Sequence, residues 1–391
     1  MGLWYRNILM ILLAGLLLVD LIGGYSLAQG EETSVMLFYK AFLAVAISLY
    51  LLRNKSFWLY MLPTAFFIIF LSIASLYDNA IGTLGEKLAL LFRFIFNCVV
   101  FLFLVFEFQK RNSFERKYRL FIYVNFLILV VSILLGAFGI GNTTYSDVKI
   151  GSKGFFEGGN DIGVAYLALG VYILYYLYSK GKPFFLRLFF IFFQLVIALL
   201  ASTKLVIIGT SFGILYVLWR FNKQNILIKY FSISIIVSIL VIGIYWGIQS
   251  TGLMDRILGF YENRDLLFVL LSGRDNTVSR GFERFGQSNL INQLFGFSTI
   301  QNSEMDGFDI LFNFGFVGIG YFLTLAFILY RKLHIKARLG NQNAIIGKFI
   351  FVFCTTLGFL AGHTLFSTQG GLFLFSVVAI GFCNPSFYVE K

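Results

Sequence analysis

Apolar stretches of about twenty residues, each bounded by charged residues, recur along the whole 391-residue chain. One helix needs about 20 apolar residues to cross a hydrocarbon layer about 30 Å thick. About twelve such stretches can be recognised, and 59% of the residues are hydrophobic whereas 13% are charged. That composition excludes a water-soluble globular protein. The sequence therefore predicts an all-α polytopic membrane protein.

The predicted spans are joined by short turns, with one long polar exception. They cover residues 8–27, 35–52, 57–76, 88–106, 118–138, 162–178, 184–200, 205–219, 226–248, 308–330, 345–361 and 371–382. The exception is the loop 249–305, between the ninth and tenth spans. No soluble domain, linker or internal repeat is visible. We therefore predict a single transmembrane domain over residues 1–391 that contains this loop.

Lysine and arginine residues are concentrated in alternate loops, among them residues 110–119 and 331–348. Positively charged loops tend to stay on the cytoplasmic side of a membrane. The opposite loops hold most of the acidic residues. Both termini are therefore predicted to be cytoplasmic, and the loop 249–305 is predicted to face outward. The same distribution accounts for the net charge of +12, so nucleic acid is not an expected partner.

Three charged residues lie inside predicted spans, where a charge is costly and usually functional. They are Asp20, Lys40 and Arg93, all in the predicted outer half of the membrane. Asp20 and Lys40 either pair with each other as a structural contact or bind substrate. Arg93 has no obvious partner in the sequence, and an anion-binding role is favoured for it.

Neither the cysteines nor the histidines show a metal-binding pattern. The three cysteines lie in or at the ends of predicted spans without paired spacing, and they are interpreted as small core residues. His334 lies on a predicted cytoplasmic loop, and His363 lies at the outer end of a span. We therefore expect no metal and no cofactor.

Four further basic residues lie on the predicted outward side. Lys204 follows two hydroxyl residues at the turn between the seventh and eighth spans, and the long loop carries Arg274, Arg280 and Arg284. Arginine and lysine at the edge of a membrane cavity suit a phosphate group. The alternatives are a snorkelling lysine at position 204 and a solvated amphipathic helix around Arg280 and Arg284.

Five short motifs follow one another in an order that resembles a known family. They are GFFEGGND at 154–161, STK at 202–204, SGR at 272–274, EMDGFD at 304–309 and GFVGIG at 315–320. This succession resembles the O-antigen polymerase and ligase superfamily of bacterial envelope enzymes. The detailed resemblance covers residues 150–330, and the remainder matches in the number of spans.

The resemblance implies a glycosyltransferase with a GT-C-like membrane domain in the bacterial cytoplasmic (inner) membrane. Such an enzyme acts at the outer face on polyprenyl-diphosphate-linked oligosaccharides, without a nucleotide sugar or metal. A chain-length regulator and a flippase of the same pathway are the expected partners. Lys204 and Arg274 match the basic residues that would hold the diphosphate. Glu304 stands where the ligases have a histidine, which favours polymerases with an acidic pair, here Glu304 and Asp306.

The chemistry of this transfer assigns roles to the charged residues. The leaving diphosphate needs cations, which Arg274, Lys204 and in addition Arg93, Arg280 and Arg284 would supply. The acceptor hydroxyl needs a base, for which Glu304 or Asp306 is expected, and direct attack would invert the anomeric centre. The alternative for Asp306 and Asp309 is that they stabilise the start of the tenth span. Sugar binding is the role expected for Asp309. Another set of residues either binds sugar hydroxyls or caps the sixth span: Glu157, Asn160 and Asp161.

The sequence thus predicts a polymerase for capsule, exopolysaccharide or O-antigen, moving a growing glycan from its polyprenyl diphosphate onto a lipid-linked repeat unit. One rival is a flippase or other transporter of lipid-linked oligosaccharide, which should place charges along a pathway that reaches both faces. The other rival is a ligase that attaches finished polymer to a different acceptor.

Overall fold

The computed structural model describes most of the chain. The described residues are 3–31, 34–77, 81–110, 114–144, 151–156, 158–222, 274–297, 299–360 and 362–383, with scattered positions between 230 and 245. Within these ranges the regular structure is helical, apart from isolated backbone bridges such as the pair Met305 and Gly362.

Fourteen α-helices are described along the chain. They are α1 (Leu3–Ala14), α2 (Leu16–Ala28), α3 (Val35–Leu51), α4 (Lys55–Tyr77), α5 (Ile81–Lys110), α6 (Phe114–Ala137), α7 (Gly159–Ser179), α8 (Phe184–Ala201), α9 (Lys204–Phe221), α10 (Arg274–Gln287), α11 (Leu290–Phe295), α12 (Asp306–Arg338), α13 (Gln342–Leu360) and α14 (Gly370–Ala379). A 3₁₀ turn, Ile380–Phe382, continues α14.

Eight helices in the described residues are long and apolar enough to cross a membrane, with α1 and α2 counted as one, and three shorter apolar helices accompany them. Together they correspond to eleven of the predicted spans. The ninth predicted span, 226–248, lies largely outside the described residues. The prediction of a polytopic helical membrane protein is therefore confirmed by helix length and composition, and the total of twelve spans stays a prediction.

The chain folds into two compact units, each assembled from separate stretches of sequence. Unit 1 contains residues 44–112 and 264–391, and unit 2 contains residues 2–43 and 113–263. In unit 1, α14 is buried against α5 and α13, and α12 packs on α11 and α13. In unit 2, α7 is buried almost throughout among α6, α8 and α9. The single domain predicted from the sequence stays a prediction.

Two of the charged residues predicted inside membrane spans, Asp20 of α2 and Lys40 of α3, form an ion pair in unit 2. Lys40 Nζ lies 2.6 Å from Asp20 Oδ1, and both side chains are buried. An opposite charge at this distance offsets part of the cost of removing each group from water. Of the two alternatives for Asp20 and Lys40, the structure therefore supports a structural contact between them.

Helix α12 is kinked at Gly315, whose backbone adopts φ 63° and ψ −164° inside the helix. This conformation is essentially confined to glycine. A Cβ atom built there would lie 2.4 Å from the carbonyl carbon of Leu294, because the end of α11 crosses α12 at this point. The kink thus seats α11 on α12.

Substituting Gly315 with alanine is expected to lower the free energy of unfolding by about 3 kcal/mol, since backbone strain and the clash with Leu294 add. Gly320→Ala is the matched control, because a Cβ atom there meets nothing within 4 Å. Thermal unfolding of both variants in detergent measures the difference. Equal stability of the two variants would contradict this account of the kink.

Candidate functional site

Two carboxylates at the start of α12 are buried and bind other segments of unit 1. Asp306 is 1% exposed, and its Oδ2 accepts hydrogen bonds from the backbone N–H groups of Thr364 (2.7 Å) and Leu365 (2.8 Å). Asp309 Oδ1 accepts from the N–H (2.6 Å) and the hydroxyl (2.8 Å) of Ser303. Gly358 leaves space for the Asp306 carboxylate, because a Cβ atom at Gly358 would lie 2.7 Å from Asp306 Oδ2.

These contacts bear on the helix-cap alternative. Asp306 and Asp309 do lie in the first turn of α12, where negative charge is favourable. The cap residue itself is Met305, which makes no side-chain cap bond, and the hydrogen bonds of the two acids go to neighbouring loops. The carboxylates therefore also fix the loop before α12 and the loop after α13 in place.

His363 lies beside this acidic pair and was missed as a site residue by the sequence analysis. Its Nδ1 is 3.4 Å from Asp309 Oδ2 and 3.8 Å from Asp306 Oδ1, and its Nε2 is 3.1 Å from Asn302 Oδ1. The side chain is 28% exposed. A signal did exist in the sequence, because His363 falls on the same predicted face as the loop that carries Glu304.

The two ring nitrogens of His363 face different oxygen atoms. Asn302 Oδ1 also accepts a hydrogen bond from the Glu304 N–H at 3.0 Å, which identifies that atom as an acceptor. Nε2 of His363 is therefore the donor to Asn302, and Nδ1 faces the acidic pair, which would stabilise a protonated ring. The acidic pair is well placed to balance its positive charge.

Arg274 and Glu304, predicted for different tasks, form an ion pair. Arg274 Nη2 lies 2.6 Å and its Nε 3.2 Å from Oε2 of Glu304. The Glu304 side chain is 55% exposed. Its backbone adopts φ 55°, which is uncommon for a residue other than glycine, and its carbonyl accepts a hydrogen bond from Gly362 N–H at 2.8 Å. Glu304 is therefore held between the arginine and the loop that carries His363.

The other two arginines of the loop lie on α10. Arg280 is exposed, and its Nε contacts the carbonyl of Asn276 in its own helix at 3.3 Å. Arg284 donates to Thr299 Oγ1 at 3.0 Å and lies over the ring of Phe297. Apolar residues seat the helix on α12, because Phe282 and Phe285 contact the rings of Phe308, Phe312 and Phe316.

A cavity of about 330 Å³ brings Arg93 of α5 together with Asp309 and His363. Arg93 is more exposed than the sequence suggested, since the cavity opens beside it. Donors, acceptors and charges of both signs line this cavity, hereafter the polar cavity: Glu86, Arg93, Asn302, Asp309, Asn313 and His363. Such a lining suits a ligand that is both anionic and rich in hydroxyl groups.

The remaining predicted site residues belong to unit 2. Asn160 and Asp161 lie in the first turn of α7, and Lys204 is the first residue of α9. Thr203 caps α9 by accepting a hydrogen bond from the Val206 N–H at 3.2 Å. Glu157 lies outside the described residues, and so do Ser272 and Gly273 of the SGR motif. The roles predicted for Glu157, Asn160, Asp161 and Lys204 stay predictions.

Side chains that could bind a metal ion do not cluster among the described residues. Within them, no group of three or more histidine, cysteine, aspartate or glutamate side chains is arranged to hold a metal ion. Cys354 and Cys383 are buried, and Cys98 is partly buried.

Comparisons with known proteins identified no relative of this chain. Searches against protein-family models, curated proteins and solved structures found no match for this chain. The resemblance to the O-antigen polymerase and ligase superfamily therefore rests on the five motifs quoted from the sequence.

Proposed function

We propose that the protein is a membrane glycosyltransferase that polymerises a bacterial polysaccharide. It would transfer a growing glycan from its polyprenyl diphosphate to a lipid-linked repeat unit, at the outer face of the cytoplasmic membrane. The proposal includes twelve spans, a GT-C-like membrane domain and cytoplasmic termini. A flippase and a chain-length regulator would be its partners.

The observation that carries this proposal is the polar cavity. Its lining combines a cation, Arg93, with the carboxylate of Asp309 and the imidazole of His363. Asp309 lies in the first turn of α12, His363 follows the end of α13, and Arg93 lies about three turns into α5. A lipid diphosphate presents its charge at the end of a hydrocarbon chain. A charged cavity at the end of membrane helices is therefore the complementary shape.

Arginine side chains would stabilise the leaving diphosphate. Arg93 lines the cavity, and Arg274 lies next to it through Glu304 and Asn302. Charge that develops on the leaving oxygen is best stabilised by donors already fixed in place. His363, in its protonated form, would add a third cationic donor or protonate the leaving group.

The acceptor hydroxyl would lose its proton to Glu304 rather than to Asp306. Asp306 is 1% exposed and its Oδ2 is occupied by two backbone amides, whereas Glu304 is accessible and Arg274 binds only its Oε2. In this step the acceptor oxygen attacks the anomeric carbon and the bond to the diphosphate oxygen breaks. A single displacement of this kind inverts the anomeric configuration.

The uncharged lining of a pocket in the middle of unit 1 favours an enzyme over a transporter. An apolar pocket there is lined by residues such as Phe94, Phe322 and Leu325, and none of the residues described around it is charged. A transporter of a charged lipid-linked sugar would need polar groups along such a pathway.

A ligase is the second candidate, and one observation favours it. The sequence lacks a histidine at the position of Glu304, but the Gly362 N–H is bonded to the Glu304 carbonyl, which brings His363 to the same place. A histidine is therefore available beside Glu304 for ligase chemistry. The two candidates differ only in the acceptor.

The deciding experiment reconstitutes the purified protein in liposomes with its lipid-linked repeat unit as the only substrate. A ladder of products spaced by one repeat supports the polymerase. No ladder, together with transfer in a second reaction that supplies preformed lipid-linked polymer and a different acceptor, supports the ligase. Movement of the intact lipid-linked unit across the bilayer without any new bond would refute both and support the flippase.

Arg274→Ala is expected to reduce ladder formation about 100-fold, because one fixed cation near the diphosphate is lost. Arg331→Ala removes an exposed arginine from the far end of α12 and serves as the control, with activity expected to be unchanged. Polymer length and yield on a gel measure the effect, and detergent-extracted protein levels confirm insertion. Normal polymer from Arg274→Ala would remove that residue from the site.

A further inference from the structure

A second cavity lies at the other end of α12 and α5, about 40 Å along α12 from Asp309 by the helix rise. Its volume is about 350 Å³, close to that of the polar cavity. Two lysines of α12, Lys332 and Lys336, line it together with the amides Asn54 and Gln109 and the hydroxyl of Tyr60. We call it the basic cavity.

The basic cavity carries net positive charge. Lys332 Nζ donates to the Tyr60 hydroxyl at 2.7 Å, and Lys336 Nζ donates to the Phe382 carbonyl at 2.9 Å. Both acceptors are neutral, and none of the residues described around the cavity is acidic. An ammonium group has three N–H donors, so each lysine retains donors for an anion.

An apolar pocket continues from the basic cavity toward the middle of unit 1. The two share Tyr60, Phe101 and Leu102. The pocket has a volume of about 60 Å³, so it suits a hydrocarbon chain better than a ring system.

One stripe of α12 joins the two spaces. Phe322, Leu325 and Leu329 line the apolar pocket, and Lys332 and Lys336 line the basic cavity. Spacings of three and four residues place all five on one helix face. Ten residues separate Phe322 from Lys332, which is about 15 Å of helix, or half of a hydrocarbon layer about 30 Å thick.

We propose that unit 1 binds one anionic glycerophospholipid here. The headgroup phosphate occupies the basic cavity on Lys332 and Lys336, and a short stretch of one acyl chain lies in the apolar pocket. The two lysines have neutral hydrogen-bond acceptors, and no acidic residue is described around the cavity. Their positive charge therefore selects an anionic headgroup over a zwitterionic one. The apolar continuation selects a lipid over free phosphate. This site is independent of the proposed glycosyltransferase activity.

The test titrates the full-length protein in neutral detergent with dioleoylphosphatidylglycerol and follows the midpoint of thermal unfolding, which rises when a ligand binds the folded state. Three parallel titrations use dioleoylphosphatidylcholine, dihexanoylphosphatidylglycerol and inorganic phosphate. We expect a saturable rise only with the long-chain anionic lipid. Lys332→Gln should weaken this binding about fivefold, the effect of losing one cation near an anionic headgroup.

Two further variants separate the parts of the site. The double variant Arg331→Gln and Arg338→Gln removes two exposed charges from the same helix end without touching the cavity, and it should bind like the wild type. Ala326→Phe fills the apolar pocket and should abolish the preference for the long-chain lipid over the short-chain one. Lys336→Gln also removes the bond to the Phe382 carbonyl, so Lys332→Gln is the primary variant.

Several outcomes would overturn the proposal. An equal response to phosphatidylcholine would mean an apolar groove without headgroup selection, and an equal response to phosphate would mean an anion site without a lipid. Equal weakening by the control pair would mean diffuse attraction to the basic helix end. No response to any lipid would mean that the two lysines only snorkel.

Discussion

Replacement of His363 by glutamine is expected to lower the rate of polymer formation at least 100-fold, the lower end of the usual contribution of an acid–base group. His363 is the partly exposed member of a cluster whose carboxylates, Asp306 and Asp309, are buried behind it. Glutamine can replace a hydrogen bond, but it can neither carry the positive charge nor transfer a proton. The reconstituted ladder assay measures the loss.

The chain provides a matched control, because His334 is the other of its two histidines. It stacks on Tyr330 at the basic end of α12, and His334→Gln should leave the rate unchanged. Imidazole added to His363→Gly should restore part of the activity, which a purely structural role would not allow. Wild-type rates in His363→Gln would place the proton transfer elsewhere.

Lys40→Met is expected to lower the free energy of unfolding of the protein by about 3–5 kcal/mol. Methionine has a similar length and is apolar, so the packing changes little. Asp20, however, keeps a buried charge that Lys40 compensates at 2.6 Å in the wild type. Thermal or denaturant unfolding in detergent measures the difference.

The double variant Asp20→Leu and Lys40→Met tests the cause of that loss. It removes both charges, so it should recover most of the stability that the single variant loses. Lys55→Met, at an exposed lysine that begins α4, should change the stability by less than about 0.5 kcal/mol. If the double variant is no more stable than Lys40→Met alone, the unpaired charge of Asp20 is not the cause of the lost stability.

The sequence was sufficient for the helices but not for their arrangement. Apolar length alone identifies a span, so eleven of the predicted spans coincide with described helices. The kink at Gly315 depends on α11 crossing α12, which no local pattern reveals. The pairing of α14 with α5 and the division into two units likewise depend on contacts between stretches far apart in the chain.

The site was predictable where its residues cluster in the chain. The excess of charge in the loop 249–305 pointed to Arg274 and Glu304, which the structure joins. His363 was missed because its partners, Asn302, Asp306 and Asp309, lie more than fifty positions earlier. Its position at the end of an apolar span looked unremarkable, and only the folded chain brings the two span ends together.

The junction between these span ends is made largely by peptide groups. The Glu304 carbonyl binds the Gly362 N–H, and the Asp306 carboxylate binds the N–H groups of Thr364 and Leu365. Every residue except proline supplies the same N–H, so alanine substitutions at residues 363–365 would leave this clamp intact. Gly362 is the exception, because its φ of 125° is a conformation that alanine rarely adopts. The ends of α12 and α13 should therefore shift as one rigid piece, and a genetic screen based on side-chain loss would detect their coupling at Asp306 but not at the loop residues whose N–H groups bind it.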